Sequence, residues 1–258
     1  ELMHHWFGNL VTCESWVHLP LNEAFANYSE YLWNEHKKGT EEADLWAQGE
    51  LQQYLGEAEQ KQEPLIRYRY TDSEDMFDSH SYAKGGRVLH MLRKYVGDEA
   101  FFTASRNYLI KYGFGTAEIN DLREAFEEVT GEDLNWFFNQ WFLNKGHAEL
   151  NISYNWNAAT MSQQVIIEQK QNLSTTPLYK LPLDIDIYFA NSKRRERVIL
   201  TEQKQTFEFR CESQPQVVNV DAEKMLTGIK EDNHNEAEWI ALYKKGPLYL
   251  DRLEALKG

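Results

Sequence analysis

The sequence has no uninterrupted apolar run near the length of about 18 residues that a membrane-crossing helix needs, so nothing in it reads as a transmembrane segment. Cysteine is nearly missing. Cys13 and Cys211 stand alone and far apart, which excludes a disulfide framework and a thiolate zinc site and leaves two plain thiols. Positive charge is also short: 27 Lys+Arg stand against 41 Asp+Glu, a net charge of −14. A chain this acidic is a poor partner for phosphate backbones, so nucleic acid is not expected as a ligand. No internal repeat or low-complexity tract is found. The opening Glu1-Leu2-Met3 shows neither an initiator Met nor a signal peptide; it runs straight into a helical pattern, as in a fragment of a longer protein, and carries no targeting information.

What is present is enough for two domains with a sizeable core. Of the 258 residues 42% are hydrophobic and 14% aromatic, spread along the chain, and this excludes wholesale disorder. Residues 1–147 read as mainly helical. Ala24, Phe25, Tyr28 and Leu32 recur at helical spacing, and Glu41–Tyr54 is a second helix with Leu45, Trp46 and Leu55 on one side. The polar stretch 57–64, ending in Pro64, reads as a loop. Tyr82–Val96 is amphipathic through Val88, Leu89, Leu92, Tyr95 and Val96, and Phe101–Tyr112 resumes a helix. Thr116 is the expected N-cap of a helix over Ala117–Val129. Leu134, Phe137, Phe138, Trp141 and Phe142 form a core stripe.

At Gly146 the period changes to two. Leu150, Ile152, Tyr154 and Trp156 alternate with polar residues, as do Leu181, Leu183, Ile185, Ile187 and Phe189. Val198–Leu200, Phe207–Cys211 and Val217–Val220 add short strands. This predicts a small β-sandwich. From Asn235 the pattern is helical again, broken at Gly246-Pro247.

Glu1 and His4 are three apart at a helix opening and so share a face. Alone, such a pair is nearly uninformative. In the run Glu1-Leu2-Met3-His4-His5-Trp6-Phe7-Gly8-Asn9 it matches an H-E-x-x-H zinc helix entered one residue late, whose first His would stand immediately before Glu1. That motif places two His at i and i+4 on zinc, with the Glu beside them as general base. A catalytic zinc takes three protein ligands and one open position. Glu23, 19 positions after His4 on the next helix, is the further candidate, and residues 10–19 would join two antiparallel helices to bring it alongside. A solvent-facing carboxylate is the plain alternative, but Leu21, Phe25 and Tyr28 around it argue against full exposure.

Four stretches, Glu1–Thr12, Trp16–Glu30, Asp78–Leu92 and Phe137–Leu150, then carry a resemblance by motif, order and spacing. The chain closely resembles the zinc aminopeptidases of the aminopeptidase N-like gluzincin family. The resemblance implies an α+β multidomain fold. Residues 1–147 would be the mainly helical C-terminal part of a thermolysin-like catalytic domain, 148–230 the small β-sandwich, and 231–258 the start of a C-terminal helical domain. It implies one Zn2+ per full-length chain and a reaction in which zinc-activated water removes the N-terminal residue from peptides with a free N-terminus. Glu1 would be the general base, His4 and Glu23 two zinc ligands, and Tyr82 the hydroxyl that hydrogen-bonds the oxyanion. Asn27 and Glu30, four and seven residues after Glu23, could hold a ligand ring, or be an ordinary cap or surface pair.

Two departures stand out. His18 and Pro20 replace residues common before the Leu-Asn-Glu, and the G-x-M-E-N motif that binds the substrate amine in the family does not occur. With the first His outside the chain, these 258 residues alone are expected to hold zinc weakly and to be inactive. Two other readings compete: a family member without catalysis that acts as a peptide-binding or scaffold module, and a generic helical domain fused to an Ig-like sandwich. Retention of Glu1, His4, Glu23 and Tyr82 counts against the former, and the latter leaves four motifs to coincidence.

Overall fold

The computed structural model describes every residue from Glu1 to Gly258. Its internal contacts divide it into two units, Glu1–Gly146 with Thr175–Pro177, and His147–Ser174 with Leu178–Gly258. The expected borders lay at 147/148 and 230/231; the second unit holds the terminal helices together with the strands. The fold is of mixed α and β type, with the helices of the first unit followed by two sheets and two helices in the second. No helix is long and apolar enough to cross a membrane.

The first unit opens on a single 3-10 turn, Leu2–His5, shorter than the helix expected there. Wide bonds close it: Asn9 N–H donates to His4 O at 2.8 Å and Leu10 N–H to His5 O at 3.1 Å. Gly8 makes that exit possible. Its φ is +147°, and a Cβ there would lie 2.7 Å from His4 O. The segment expected to be a plain connector then forms strand β1 (Val11–Cys13) and a 3-10 turn, Trp16–His18. Strand β1 pairs in parallel with β2 (Gly115–Ala117), Thr12 opposite Thr116. Thr116 is therefore a strand residue and not the expected N-cap. Glu118 takes the cap position of the helix that follows, and its N–H donates to Asp121 at 2.7 Å.

Helix α1 (Pro20–Lys38) starts at a proline, whose missing N–H costs nothing in the first turn. It buries Leu21, Ala24, Phe25, Tyr28 and Tyr31. Helix α2 (Thr40–Ala58) corrects the expected face. Leu45 is exposed, and the buried side is Ala43, Ala47, Leu51, Tyr54 and Ala58. Small side chains let the two helices lie close, so shape outweighs hydrophobicity on this face. A wide π-type turn, His80–Lys84, leads into α3 (Gly85–Val96), where Val88, Leu89 and Leu92 are fully buried. Helices α4 (Asp98–Tyr112), α5 (Ile119–Thr130) and α6 (Asn135–Phe138) follow, and α6 runs into a second wide turn, Asn139–Leu143. The stripe from Leu134 to Phe142 is buried throughout, as its period predicts.

In the second unit β3 (Ala148–Asn157) and β4 (Ser162–Gln169) form an antiparallel pair. Strands β5 (Leu181–Tyr188), β6 (Lys193–Leu200), β7 (Lys204–Arg210), β8 (Val217–Val220) and β9 (Gly228–Asp232) complete two sheets, ordered β7-β4-β3-β9 and β6-β5-β8. Strands β4 and β9 were not among those expected. Ile152, Val165 and Ile167 of one sheet and Leu183, Ile185 and Ile187 of the other are fully buried, each worth about 1.5–3 kcal/mol. Helices α7 (Glu236–Lys245) and α8 (Tyr249–Lys257) close the unit, with Leu242 packed on Tyr188 and Val217.

Candidate active site

Glu23 enters the site on the first turn of α1, where the partial positive charge of the helix N-terminus favours a carboxylate. It is buried. His4 arrives from the opening 3-10 turn, and its Nε2 lies 3.2 Å from Glu23 Oε2. His4 Nδ1–H donates to Phe7 O at 3.2 Å, which leaves Nε2 as the ring nitrogen facing the carboxylate. An imidazole nitrogen and a carboxylate oxygen therefore point at each other. Glu23 Oε2 is buried and accepts no hydrogen bond. Buried carboxylate oxygens are normally paired, so this orphan marks a place for a cation. The donor set, imidazole nitrogen plus carboxylate oxygen, is one that zinc accepts.

Tyr82 completes the group from the wide turn. Burial raises the pKa of its hydroxyl, and the charge of Glu23, a hydrogen bond to Glu23 and the charge of Glu1 raise it further. The phenol thus stays protonated and faces both carboxylates. The approach depends on Gly85: a Cβ there would sit 2.6 Å from Ala24 Cβ, the residue after Glu23. Glu1, Leu2, Met3, Trp6, Glu30 and Trp33 line an open cleft of about 710 Å³, a size suited to a small ligand.

The residues expected to steady a ligand lie elsewhere. Asn27 Nδ2 donates to Glu50 at 2.5 Å, and Glu30 is exposed on the cleft. Neither hydrogen-bonds His4 or Glu23 in the structure. His18 is buried; its Nδ1 accepts Ile119 N–H at 3.3 Å, and its ring meets Tyr68 edge-on.

Sequence reasoning did not single out the frame around Tyr82. Asp78 Oδ1 accepts the N–H groups of His80 and Ser81 at 3.1 and 3.0 Å, and Ser81 Oγ donates to Met76 O at 2.6 Å. Burial works against the Asp78 charge, but hydrogen bonds from Arg67 and Lys61 hold its pKa down at about 2. His80 is fully buried and neutral, its pKa lowered to about 3 chiefly by burial. Lys84 is also fully buried. Its amine is brought down to about 7, first by burial and then by the Arg67 charge. The position of Lys84 two residues after Tyr82 was the available signal.

Two other groups gather His and carboxylates: Glu14, His18 and Glu118, and Glu57, Asp78 and His80. Both are poor metal sites by tautomer. The free nitrogen of His18 is Nε2 and that of His80 is Nδ1, and the opposite nitrogen of each ring already accepts a backbone N–H. The nitrogens facing the carboxylates therefore carry the protons.

The chain is also similar to known proteins. The model of the peptidase family M1 domain matches residues 1–141. Aminopeptidase N of Streptomyces lividans is 37% identical over 57% of this chain and 18% of its own length. Aminopeptidase 2, mitochondrial, of Saccharomyces cerevisiae is 30% identical over 96% of this chain and 26% of its own. The chain thus spans about a quarter or less of these two relatives. The crystal structure of Legionella pneumophila aminopeptidase A in complex with aspartic acid superposes on the whole chain with a TM-score of 0.82, at 19% identity and over 29% of that structure. At that identity the likeness speaks for the fold.

Proposed function

The chain belongs to peptidase family M1, and from that premise we propose that it carries the base, two metal ligands and the oxyanion donor of a zinc aminopeptidase. The observation that carries the reading is the orphaned Glu23 Oε2 facing His4 Nε2 at 3.2 Å. His4 and Glu23 would hold the zinc. Zinc bound there supplies Lewis acidity toward a water and a scissile carbonyl. Glu1 accepts a proton from the attacking water and returns it to the leaving amine. Tyr82, kept protonated by its surroundings, donates its hydroxyl hydrogen to the oxygen on which negative charge develops. The Phe7 carbonyl holds the His4 ring through Nδ1 and so keeps Nε2 available.

The substrates would be peptides with a free N-terminus, in keeping with the aminopeptidases among the relatives. Two ligands are one short of a catalytic zinc site, so residues 1–258 alone should lose zinc on dialysis against chelator; one tightly held zinc per chain would contradict this.

The test of activity uses the full-length protein. It should cleave an aminoacyl p-nitroanilide, lose that activity to a chelator and regain it with zinc, and leave the N-acetylated substrate intact. Chelator-resistant turnover, or equal cleavage of the acetylated compound, would overturn the reading. Tight peptide binding with no turnover at saturating zinc would favour the non-catalytic binding module instead.

A further inference from the structure

A lysine with no exposed surface is rare unless a carboxylate pairs with it. Lys84 has no such partner among its contacts. Its Nζ donates to Gly146 O at 2.9 Å and lies 5.5 Å from the centre of the Tyr54 ring. Satisfying that carbonyl does not require it, because the Tyr54 hydroxyl donates to the same oxygen at 3.2 Å. A methionine would fill the space without burying an amine. The location of Lys84 suggests why the amine is there.

Lys84 is the last residue of the wide turn that carries Tyr82, and its own N–H reaches back five residues to Ser79 O at 2.9 Å. A turn of this kind holds one residue more than an α-helical turn, so its side chains are re-aimed and its hydrogen bonding is weaker. It needs outside support. The entry is held by Asp78 and by Ser81 on Met76 O. The far side rests on α2: Ala83 packs with Leu51, Tyr54 and Ala58, and the His80 ring meets Tyr54 edge-on at 5.3 Å. At the exit the side-chain anchor is the Lys84 amine.

We propose that Lys84, held on the Tyr54 ring and the Gly146 carbonyl, is a positioning residue that fixes the wide turn bearing Tyr82 and so the aim of the Tyr82 hydroxyl. This rests on the reading of Tyr82 as the oxyanion donor. Lys84 touches neither substrate nor metal and acts only through that tyrosine.

A double-mutant cycle in the full-length protein tests it, with kcat, KM, zinc content and melting temperature measured for Lys84→Met, Tyr82→Phe and both together. Lys84→Met should lower kcat about ten- to hundredfold, as misplacement of a reacting group does, with KM within about twofold and zinc unchanged. In the Tyr82→Phe background the same change should have no further effect on kcat. Additive losses would overturn the proposal, because a merely structural lysine damages both backgrounds alike. If Tyr82→Phe leaves kcat intact, the reading of Tyr82 fails first, and the cycle shows that separately. Tyr54→Phe is the second variant, and it serves even if Lys84→Met does not fold. It keeps the ring under Lys84 and removes the other donor to Gly146 O, and kcat should stay within about twofold. A tenfold loss there would assign the anchoring to carbonyl pairing and overturn the role of Lys84.

Discussion

Both units bury ionisable side chains, but they treat them differently. In the second unit most buried charges meet an opposite one; Asp221 is the exception, accepting the N–H groups of Met225 and Leu226, with its pKa raised by burial. Lys230 lies 2.9 Å from Asp232 and 3.1 Å from Glu254, Lys224 lies 2.6 Å from Glu254, and Asp186 lies 2.6 Å from Arg195. Burial works against the Lys230 charge, yet Asp232 and Glu254 raise its pKa and keep it charged. In the first unit the pairing is incomplete around Tyr82. Glu23 Oε2 faces an imidazole and accepts no hydrogen bond, Lys84 faces a carbonyl and a ring, and His80 is uncharged. A closed network only has to hold the fold. Imbalance persists where a cation or a developing charge is to be accommodated.

The comparison can be broken by one substitution made in both units. Lys230→Met leaves Asp232 and Glu254 short of a buried cation and should cost about 3–5 kcal/mol in urea unfolding. Lys84→Met removes one hydrogen bond and no ion pair, so its stability loss should stay near 0.5–1.5 kcal/mol, about the net worth of such a bond. Equal losses would erase the distinction between the units.

Tyr82→Phe comes next in size. Loss of one oxyanion donor should lower kcat about a hundred- to thousandfold, or about 2.7–4 kcal/mol, with KM and zinc nearly unchanged. A destabilised but fully active enzyme would make Tyr82 an ordinary packed tyrosine.

A further effect is one of pH. The His80 pKa is lowered from 6.5 to about 3, so between those values the unfolded chain binds a proton that the folded chain refuses. Stability from the neutral imidazole is complete above about pH 6.5 and is lost as the pH falls toward about 3. The melting temperature should therefore fall more steeply over that window in the wild type than in His80→Gln. Parallel curves would show that His80 titrates normally.

Much of this was legible in the sequence, and the gaps have physical reasons. His4 and Glu23 come together in the structure although the opening helix is only a 3-10 turn and the connector contains a strand. The apolar stripe from Leu134 to Phe142 was read correctly, and that of α3 in part: Val88, Leu89 and Leu92 are buried, while Tyr95 and Val96 are half-buried. The face of α2 was misread because alanines and Tyr54 form it while Leu45 points outward. Strand β4 was missed because its Ser162 and Gln163 are buried polar residues, and β9 because Lys230 and Asp232 pair inside the unit. The burial of Lys84 stayed hidden for the same reason: polarity usually signals solvent, and only packing shows the exceptions.

The central claim is that His4 and Glu23 bind the metal while Glu1 handles protons. Zinc per chain in the full-length protein, measured side by side for Glu1→Gln and Glu23→Ala, tests it most directly. Glu1→Gln should retain one zinc with turnover reduced about 10²–10⁴-fold, and Glu23→Ala should lose the metal. Equal zinc content in the two variants would contradict the division of roles.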